Sequence, residues 1–378
     1  MQIIPVASGK GGVGKSLLSA NLAIALGQAG KSVLLADLDL GASNLHLVLG
    51  IQAPRNGIGT FLTGSVPFSD CIIETSYPGV SFIPGDSEIP GMTALKAPQK
   101  AALVRNLMKC NADYLILDLG AGTHLAILDF FLMSAQGIVV TAPSVTATLN
   151  AYLFLKNAVF RLMYSCFKKG SPAWDCLENL KNDSTSLQRM YIPKIMEEIM
   201  KVDPASVAEF RRRTAGFHPR LVMNMIDDPK DADKALKIRR SCKEYLNIDL
   251  EHLGVIYRDG IQDTALASRL PIIIYKPQSI LSQAVYRIAD KIIQTESETQ
   301  SDYAALDDES FHSAEMEAAI DYESKMNYVE ELVGSGALSM GDLAETIKSQ
   351  QYEISVLRKE NLLLKNKLTR AMQMGFRL

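Results

Sequence analysis

The sequence is poor in the features that mark secreted, metal-clustered or membrane-spanning proteins. Its 378 residues hold five cysteines, Cys71, Cys110, Cys166, Cys176 and Cys242, and no two form a C-x-x-C pair. Their scatter and odd number disfavour a disulfide framework, a zinc ribbon and a thiolate-held cluster. No run of 18 apolar residues occurs, and no basic n-region with an apolar h-region opens the chain. The expectation is a cytoplasmic protein, neither secreted nor membrane-spanning. Net charge is also small, −3 at pH 7 with a pI near 6.0, which argues against a polyanion binder along its whole length.

What is present is a large apolar fraction, 47%, with 21% charged residues. That suffices for one large domain or two ordinary ones. Charge is unevenly placed. Residues 296–331 hold 12 acids and one base, 332–378 hold 4 acids and 7 bases, and 1–295 hold 26 acids and 31 bases.

Short aliphatic runs alternate with helical patterns along the first part of the chain. Gln2–Ala7, Ser32–Asp37, Val80–Pro84, Tyr114–Leu119, Gly137–Ala142, Leu221–Asn224 and Leu253–Tyr257 read as strands, Lys15–Ala29 and Gln99–Lys109 as helices. Apolar runs without alternation are strands buried on both faces, as in a parallel sheet covered by helices. The fold class is therefore α/β, a doubly wound and mostly parallel sheet with helices on both faces. Residues 1–295 read as one domain, interrupted at about 165–218 by a mostly helical insertion that carries Trp174. Residues 296–335, acidic and Ser-rich, read as a linker. In 336–378, Met340, Leu343, Ile347, Gln350, Ile354, Leu357, Asn361, Leu364, Leu368 and Ala371 follow a heptad track with Asn361 at an a position. That reads as a two-stranded coiled coil, or else as a single amphipathic helix.

Three segments carry chemistry. Gly9-Lys10-Gly11-Gly12-Val13-Gly14-Lys15-Ser16 fits G-x-x-x-x-G-K-[ST] between an expected strand and an expected helix. Its glycines let backbone N–H groups turn inward as an anion nest at a helix N-terminus. Lys15 is placed to reach the β- and γ-phosphates of a nucleotide, and the Ser16 hydroxyl to ligand Mg2+. Asp37 and Asp39 leave a buried strand at i and i+2, on one side of the chain. Asp118 ends the apolar run Tyr114–Leu117, the Walker B pattern, and would hold Mg2+ through water; Gly120 and Gly122 give the following loop its freedom.

With Lys10 inside the loop, K-G-G-V-G-K-S is the deviant Walker A signature, and the sequence resembles the MinD/ParA superfamily of P-loop ATPases. The resemblance implies that Lys10 reaches across an ATP-sandwiched dimer to the partner's nucleotide, in the manner of an arginine finger. The segment Leu34–Leu45 resembles the D-x-D-x-G-x-x-N switch I of the MinD/FlhG branch. By that likeness Asp39 orients or activates the attacking water, Asp37 acts on the Mg2+ hydration shell, and Asn44 lies close to the γ-phosphate. A structural hydrogen-bonding role for Asp37 stands beside the metal role. Asn224 matches the Asn that reads the adenine edge, with a strand-end cap as its alternative. Thr141-Ala142-Pro143-Ser144, Ile83-Pro84-Gly85-Asp86 and the run from Pro271 to Ser279 add to the likeness, which covers roughly 1–160 and 219–294.

The expected function is a Mg-dependent ATPase that dimerises around ATP and acts as a spatial-positioning switch, for a division site, a flagellum or another polar structure. It would cycle on the inner face of the cell membrane or on a protein partner that stimulates its slow hydrolysis. The basic amphipathic end, Lys365–Leu378, suits an anionic surface or a solvated coiled-coil end. Two alternatives stay open. One is a ParA-like DNA-partitioning ATPase, using Arg211, Arg212 and Arg213 with His218 and Arg220, or Lys230, Lys234, Lys237, Arg239, Arg240 and Lys243. The other is an ATP-binding scaffold without turnover. An iron–sulfur carrier would need paired cysteines, and a bacterial tyrosine kinase a terminal tyrosine cluster.

Overall fold

The computed structural model describes residues 1–41, 43–85, 95–182, 191–295 and 303–334, with the single positions 341, 348, 351, 355 and 364. The aliphatic runs form the strands β1 (Gln2–Ser8), β2 (Val33–Leu38), β4 (Val80–Ile83), β5 (Tyr114–Ala121), β6 (Ile138–Thr141), β7 (Arg220–Ile226) and β8 (Glu251–Tyr257); the short β3 (Ile73–Glu74) has no aliphatic run to announce it. They join in one sheet of order β3-β4-β2-β5-β1-β6-β7-β8. Every pairing is parallel except β3 with β4, where Ile73 faces Phe82 in an antiparallel edge pair. All six residues of β2 are buried, as the absence of alternation in that run requires.

Helices cover both faces. On one face lie α1 (Lys15–Gln28), the short α2 (Leu45–Val48), α12 (Ile272–Tyr275) and α13 (Ile280–Thr295), whose Leu18, Leu22, Val285 and Ile288 share a cluster with Ile4, Leu35 and Ile116 of the strands. The other face carries α3 (Ile58–Leu62), α4 (Ala97–Leu107), α5 (Leu125–Phe131) and the long α6 (Val145–Cys166). Phe131 of α5 meets Phe154 of α6 edge to face at 4.9 Å. The described part of 165–218 is mostly helical: after the end of α6 come α7 (Pro172–Asn182), α8 (Ile192–Met200) and α9 (Pro204–Ala215). Ile195, Ile199, Val207 and Phe210 bury themselves against the same core as Phe154, at about 1.5–3 kcal/mol for each large apolar side chain. Past β7 come α10 (Asp233–Ser241) and, after β8, α11 (Ile261–Ala267).

The acidic segment differs from its expected linker form. Residues 303–334 are a helix, α14 (Tyr303–Gly334). Composition hid an apolar stripe at helical spacing: Phe311, Ala314 and Ala318 are buried in the core cluster. Its acids meet cations of the body, Glu317 with Lys291 at 2.7 Å, Asp321 with Arg287, and Asp308 with Arg239 at 2.6 Å. The Tyr257 hydroxyl donates to the Ala318 carbonyl at 2.7 Å. Met1–Tyr322 form one compact unit and Glu323–Leu378 a second. The heptad track and the basic end lie outside the described residues, save Leu364, which is helical and exposed. Among the described residues no helix is long and apolar enough to cross a membrane.

Candidate active site

β5 lies between β2 and β1, so the carboxyl ends of these three strands bring the three motifs together. In register, Asp118 of β5 faces Asp37 of β2. Ligands of open α/β sheets sit beyond such strand ends, and a cavity of about 660 Å³ opens there. Gly11, Gly12, Gly14, Lys15 and Ser16 line one side, Asp39, Gly41 and Asn44 a second, and Leu38, Leu40, Leu119, Ile127 and Phe130 make an apolar wall.

The loop is held from behind. Gly14 takes φ +84°, and a Cβ there would stand 2.2 Å from Asn224 Nδ2. Asn224 is buried; its amide donates to the Val13 carbonyl at 2.8 Å, and its Oδ1 accepts from the Met225 amide at 2.9 Å. Met225 itself sits at φ +59°, a conformation that side chains other than glycine adopt at a cost. The carboxamide expected at the adenine edge is therefore engaged in fixing the phosphate loop, because β7 ends directly beneath it. Gly9 is pressed on α6, where a Cβ would meet the Asn150 carbonyl oxygen at 2.0 Å.

Inside the cavity wall the charges are close and dry. Lys15 Nζ lies 2.9 Å from Asp118 Oδ1 and 3.3 Å from Ser16 Oγ, with Lys15 and Asp118 both buried. Asp37 is fully buried, and three donors reach it: the Asp39 amide at 3.0 Å on Oδ1, the Ser43 hydroxyl at 2.6 Å and the Leu45 amide at 3.3 Å on Oδ2. Burial, and then the charge of Asp118, push its carboxyl up to about 7. Asp37 thus ties together the backbone of the segment that carries Asp39, and its structural reading is the one these bonds express. Asp39 is half-buried and lines the cavity; among the described residues no donor meets its carboxylate. A Cβ on Gly120 would stand 3.2 Å from Asp39 Oδ1, so the end of β5 closes on this acid.

Lys10 is exposed and does not line the cavity; its amine donates to Thr146 Oγ1 at 3.0 Å, on the first turn of α6. Asn44 lines the cavity and stands at the N-cap of α2 without a side-chain capping bond. Sequence reasoning missed Ser8, whose buried hydroxyl lines the cavity without a partner. It also missed Ser19 and the apolar wall. Ser19 had one signal, its position four residues after Lys15 on the same helix face. The basic clusters are partly neutralised: Glu209 pairs with Arg212 and Arg213, Asp231 with Lys234, and Asp249 with Lys243.

Residues 1–157 match the ParA family, described as the NUBPL iron-transfer P-loop NTPase. The antiactivator FleN of Pseudomonas aeruginosa is 32% identical over 158 residues, which are 41% of this chain and 56% of FleN, so the chain spans little more than half of that relative. The flagellum site-determining protein YlxH of Helicobacter pylori is 32% identical over 208 residues, 51% of this chain and 69% of YlxH. Among solved structures, the septum site-determining protein MinD of Pyrococcus horikoshii, complexed with Mg-ADP, shares the fold at a TM-score of 0.50 and 22% identity, covering 78% of this chain and 97% of that one. With the phosphate loop and Asp39 on one cavity, Asp118 buried against Lys15 behind it, and a 32% identical relative covered over 69% of its length, the chain belongs to the MinD/ParA superfamily of P-loop NTPases.

Proposed function

We propose that the protein is a Mg-dependent ATPase that dimerises around ATP and serves as a positioning switch, cycling between a free form and one held by a membrane surface or a protein partner. The observation that carries this reading is the meeting of Lys15, Ser16 and Asp39 on one cavity at the end of a glycine nest, with Asp118 buried against Lys15 behind it. The residues fit a magnesium nucleotide. The loop and the α1 N-terminus offer backbone donors to phosphate, Ser8 Oγ is a buried polar atom in want of a partner, and Ser16 and Asp118 supply hard oxygen donors. Mg2+ would neutralise charge on the bound phosphates. Ser16 would hold it, with Asp118 and Asp37 behind it through water.

The protein's own groups then divide the work. Lys15 leaves Asp118 to meet the β- and γ-phosphates. Asn44 closes on the γ-phosphate side. Asp39, half-buried and without a donor among the described residues, accepts from the attacking water and aims it. Lys10, outside its own cavity, serves the nucleotide of a second copy. The exposed stripe of Val145, Leu149 and Leu153 on α6 adjoins the Lys10 anchor at Thr146 and supplies apolar surface for that copy. YlxH is named a flagellum site-determining protein, which favours positioning as the use of the cycle. The reaction proposed is nucleotide hydrolysis rather than iron transfer, since no C-x-x-C pair exists.

The test is Asp39→Ala. It should bind ATP like the wild type and hydrolyse it about 100-fold slower or worse. Its ATP-held state should then co-sediment with anionic liposomes or capture a partner that the ADP state does not. Unchanged turnover would refute the role of Asp39, and an absence of nucleotide binding by the wild type would refute the whole reading.

A further inference from the structure

One buried polar side chain beside the cavity is left unused by the reading above. Ser19 lies one turn after Lys15 on α1 and has no exposure. Its hydroxyl stands 2.8 Å from Asp118 Oδ1 and 3.1 Å from the carbonyl oxygen of Lys15. A serine hydroxyl has one proton to give. Asp118 is both nearer and charged, and a charge-assisted bond is roughly twice as strong as a neutral one, so the proton goes to Asp118. Lys15 Nζ meets the same oxygen at 2.9 Å.

The two donors differ in how they are held. Lys15 reaches Asp118 on a flexible four-carbon stem and is the group that phosphate would draw into the cavity. Ser19 is fixed by the interior of α1 and does not line the cavity. Once Lys15 departs, Ser19 is the donor that stays on Asp118. Asp37, the neighbouring carboxylate, offers no replacement, since its oxygens are themselves acceptors of three bonds.

We propose that Ser19 is a positioning residue for Asp118. It pins Oδ1 to α1, fixes the plane of the carboxylate, and keeps the acid in place for a divalent cation after Lys15 has moved to the nucleotide. The inference rests on the reading of the cavity as a magnesium-nucleotide site. It adds a residue outside the phosphate loop on which the cation's contribution depends, while the contribution of the loop itself does not.

The experiment measures binding of fluorescent mant-ADP to the full chain, with EDTA and with Mg2+, for the wild type, Ser19→Ala and Ser19→Thr. In EDTA, Ser19→Ala should bind within about twofold of the wild type. The tightening that Mg2+ gives the wild type should fall about tenfold in Ser19→Ala, the scale of one hydrogen bond to a charged group. Ser19→Thr, which keeps the hydroxyl, should recover most of it. Equal Mg2+ tightening in Ser19→Ala and the wild type overturns the proposal. So does an equal loss of affinity with and without Mg2+, which marks a merely structural role. Wild type that binds no mant-ADP, or binds it equally with and without Mg2+, would instead overturn the magnesium-nucleotide reading, and Ser19's role with it.

Discussion

Replacing Lys15 by methionine should destabilise the nucleotide-free protein, and not only abolish nucleotide binding. Lys15 and Asp118 are 6% and 1% exposed and 2.9 Å apart, and the buried carboxyl of Asp37 is register-paired with Asp118. Methionine keeps the stem but removes the cation paired with the buried Asp118. Breaking a buried pair in this way costs about 3–5 kcal/mol. Denaturant unfolding of the nucleotide-free wild type and Lys15→Met at pH 7.5 reads the loss, which should be about 4 kcal/mol. The double variant Lys15→Met with Asp118→Asn should recover much of it. A deficit under about 1 kcal/mol, or one that the double variant leaves unchanged, would refute the view of Lys15 as the counter-ion of a buried acid.

Three further outcomes follow from other parts of the molecule. His252 is fully buried against Phe311 of α14, and burial, then the charge of Lys291, hold its imidazole down to about 3. Folding therefore excludes a proton that the unfolded chain accepts near pH 6.5, so this stability is complete above 6.5 and lost as pH falls towards 3. About 2 kcal/mol should go between pH 7.5 and 5, and His252→Leu should be that much less acid-sensitive in denaturant titrations; equal acid sensitivity would count against it. Gly14→Ala places a methyl 2.2 Å from Asn224 Nδ2 at a positive φ, so mant-ADP affinity should fall at least tenfold; near-normal affinity would show that the loop need not rest on Asn224. Phe311→Ala should cost about 3–5 kcal/mol and expose α14 to limited proteolysis; cleavage at the wild-type rate would mean that α14 is not docked through this ring.

The sheet was legible in the sequence because parallel strands buried on both faces leave continuous aliphatic runs, and β2 is such a run. The phosphate loop was legible because its chemistry is local: eight consecutive residues supply the nest and the lysine. What was not legible depends on distant neighbours. Asn224 lies 211 positions from Val13, whose carbonyl it holds, and no spacing rule predicts that contact. β3 is two residues long and takes its order from the edge of β4. In the segment that contains α14, twelve acids over 296–331 outweighed an apolar stripe of three residues. Composition measures what a segment could not bury alone, whereas α14 buries its stripe on a body that supplies Arg239, Arg287 and Lys291 to meet the acids.

The same distinction governs how the site can respond to a ligand. Asp37 has little to do with the cavity surface, yet it holds the Asp39 amide, Ser43 and the Leu45 amide. Its neighbour across the β2–β5 pair is Asp118, whose charge is balanced by Lys15. In a dry interior two carboxyls side by side are sensitive to any cation that arrives or leaves. Drawing the Lys15 amine towards phosphate unbalances Asp118, and a magnesium ion arriving at Ser16 would restore the balance from the cavity side. Either change alters the field at Asp37, one hydrogen bond from the backbone of Asp39. A Cβ on Gly120 would stand 3.2 Å from Asp39 Oδ1, so the end of β5 reaches the same acid. Under the proposed function, phosphate, cation and the water-aiming acid would be coupled through Lys15, Asp118 and Asp37, three buried side chains on adjacent elements.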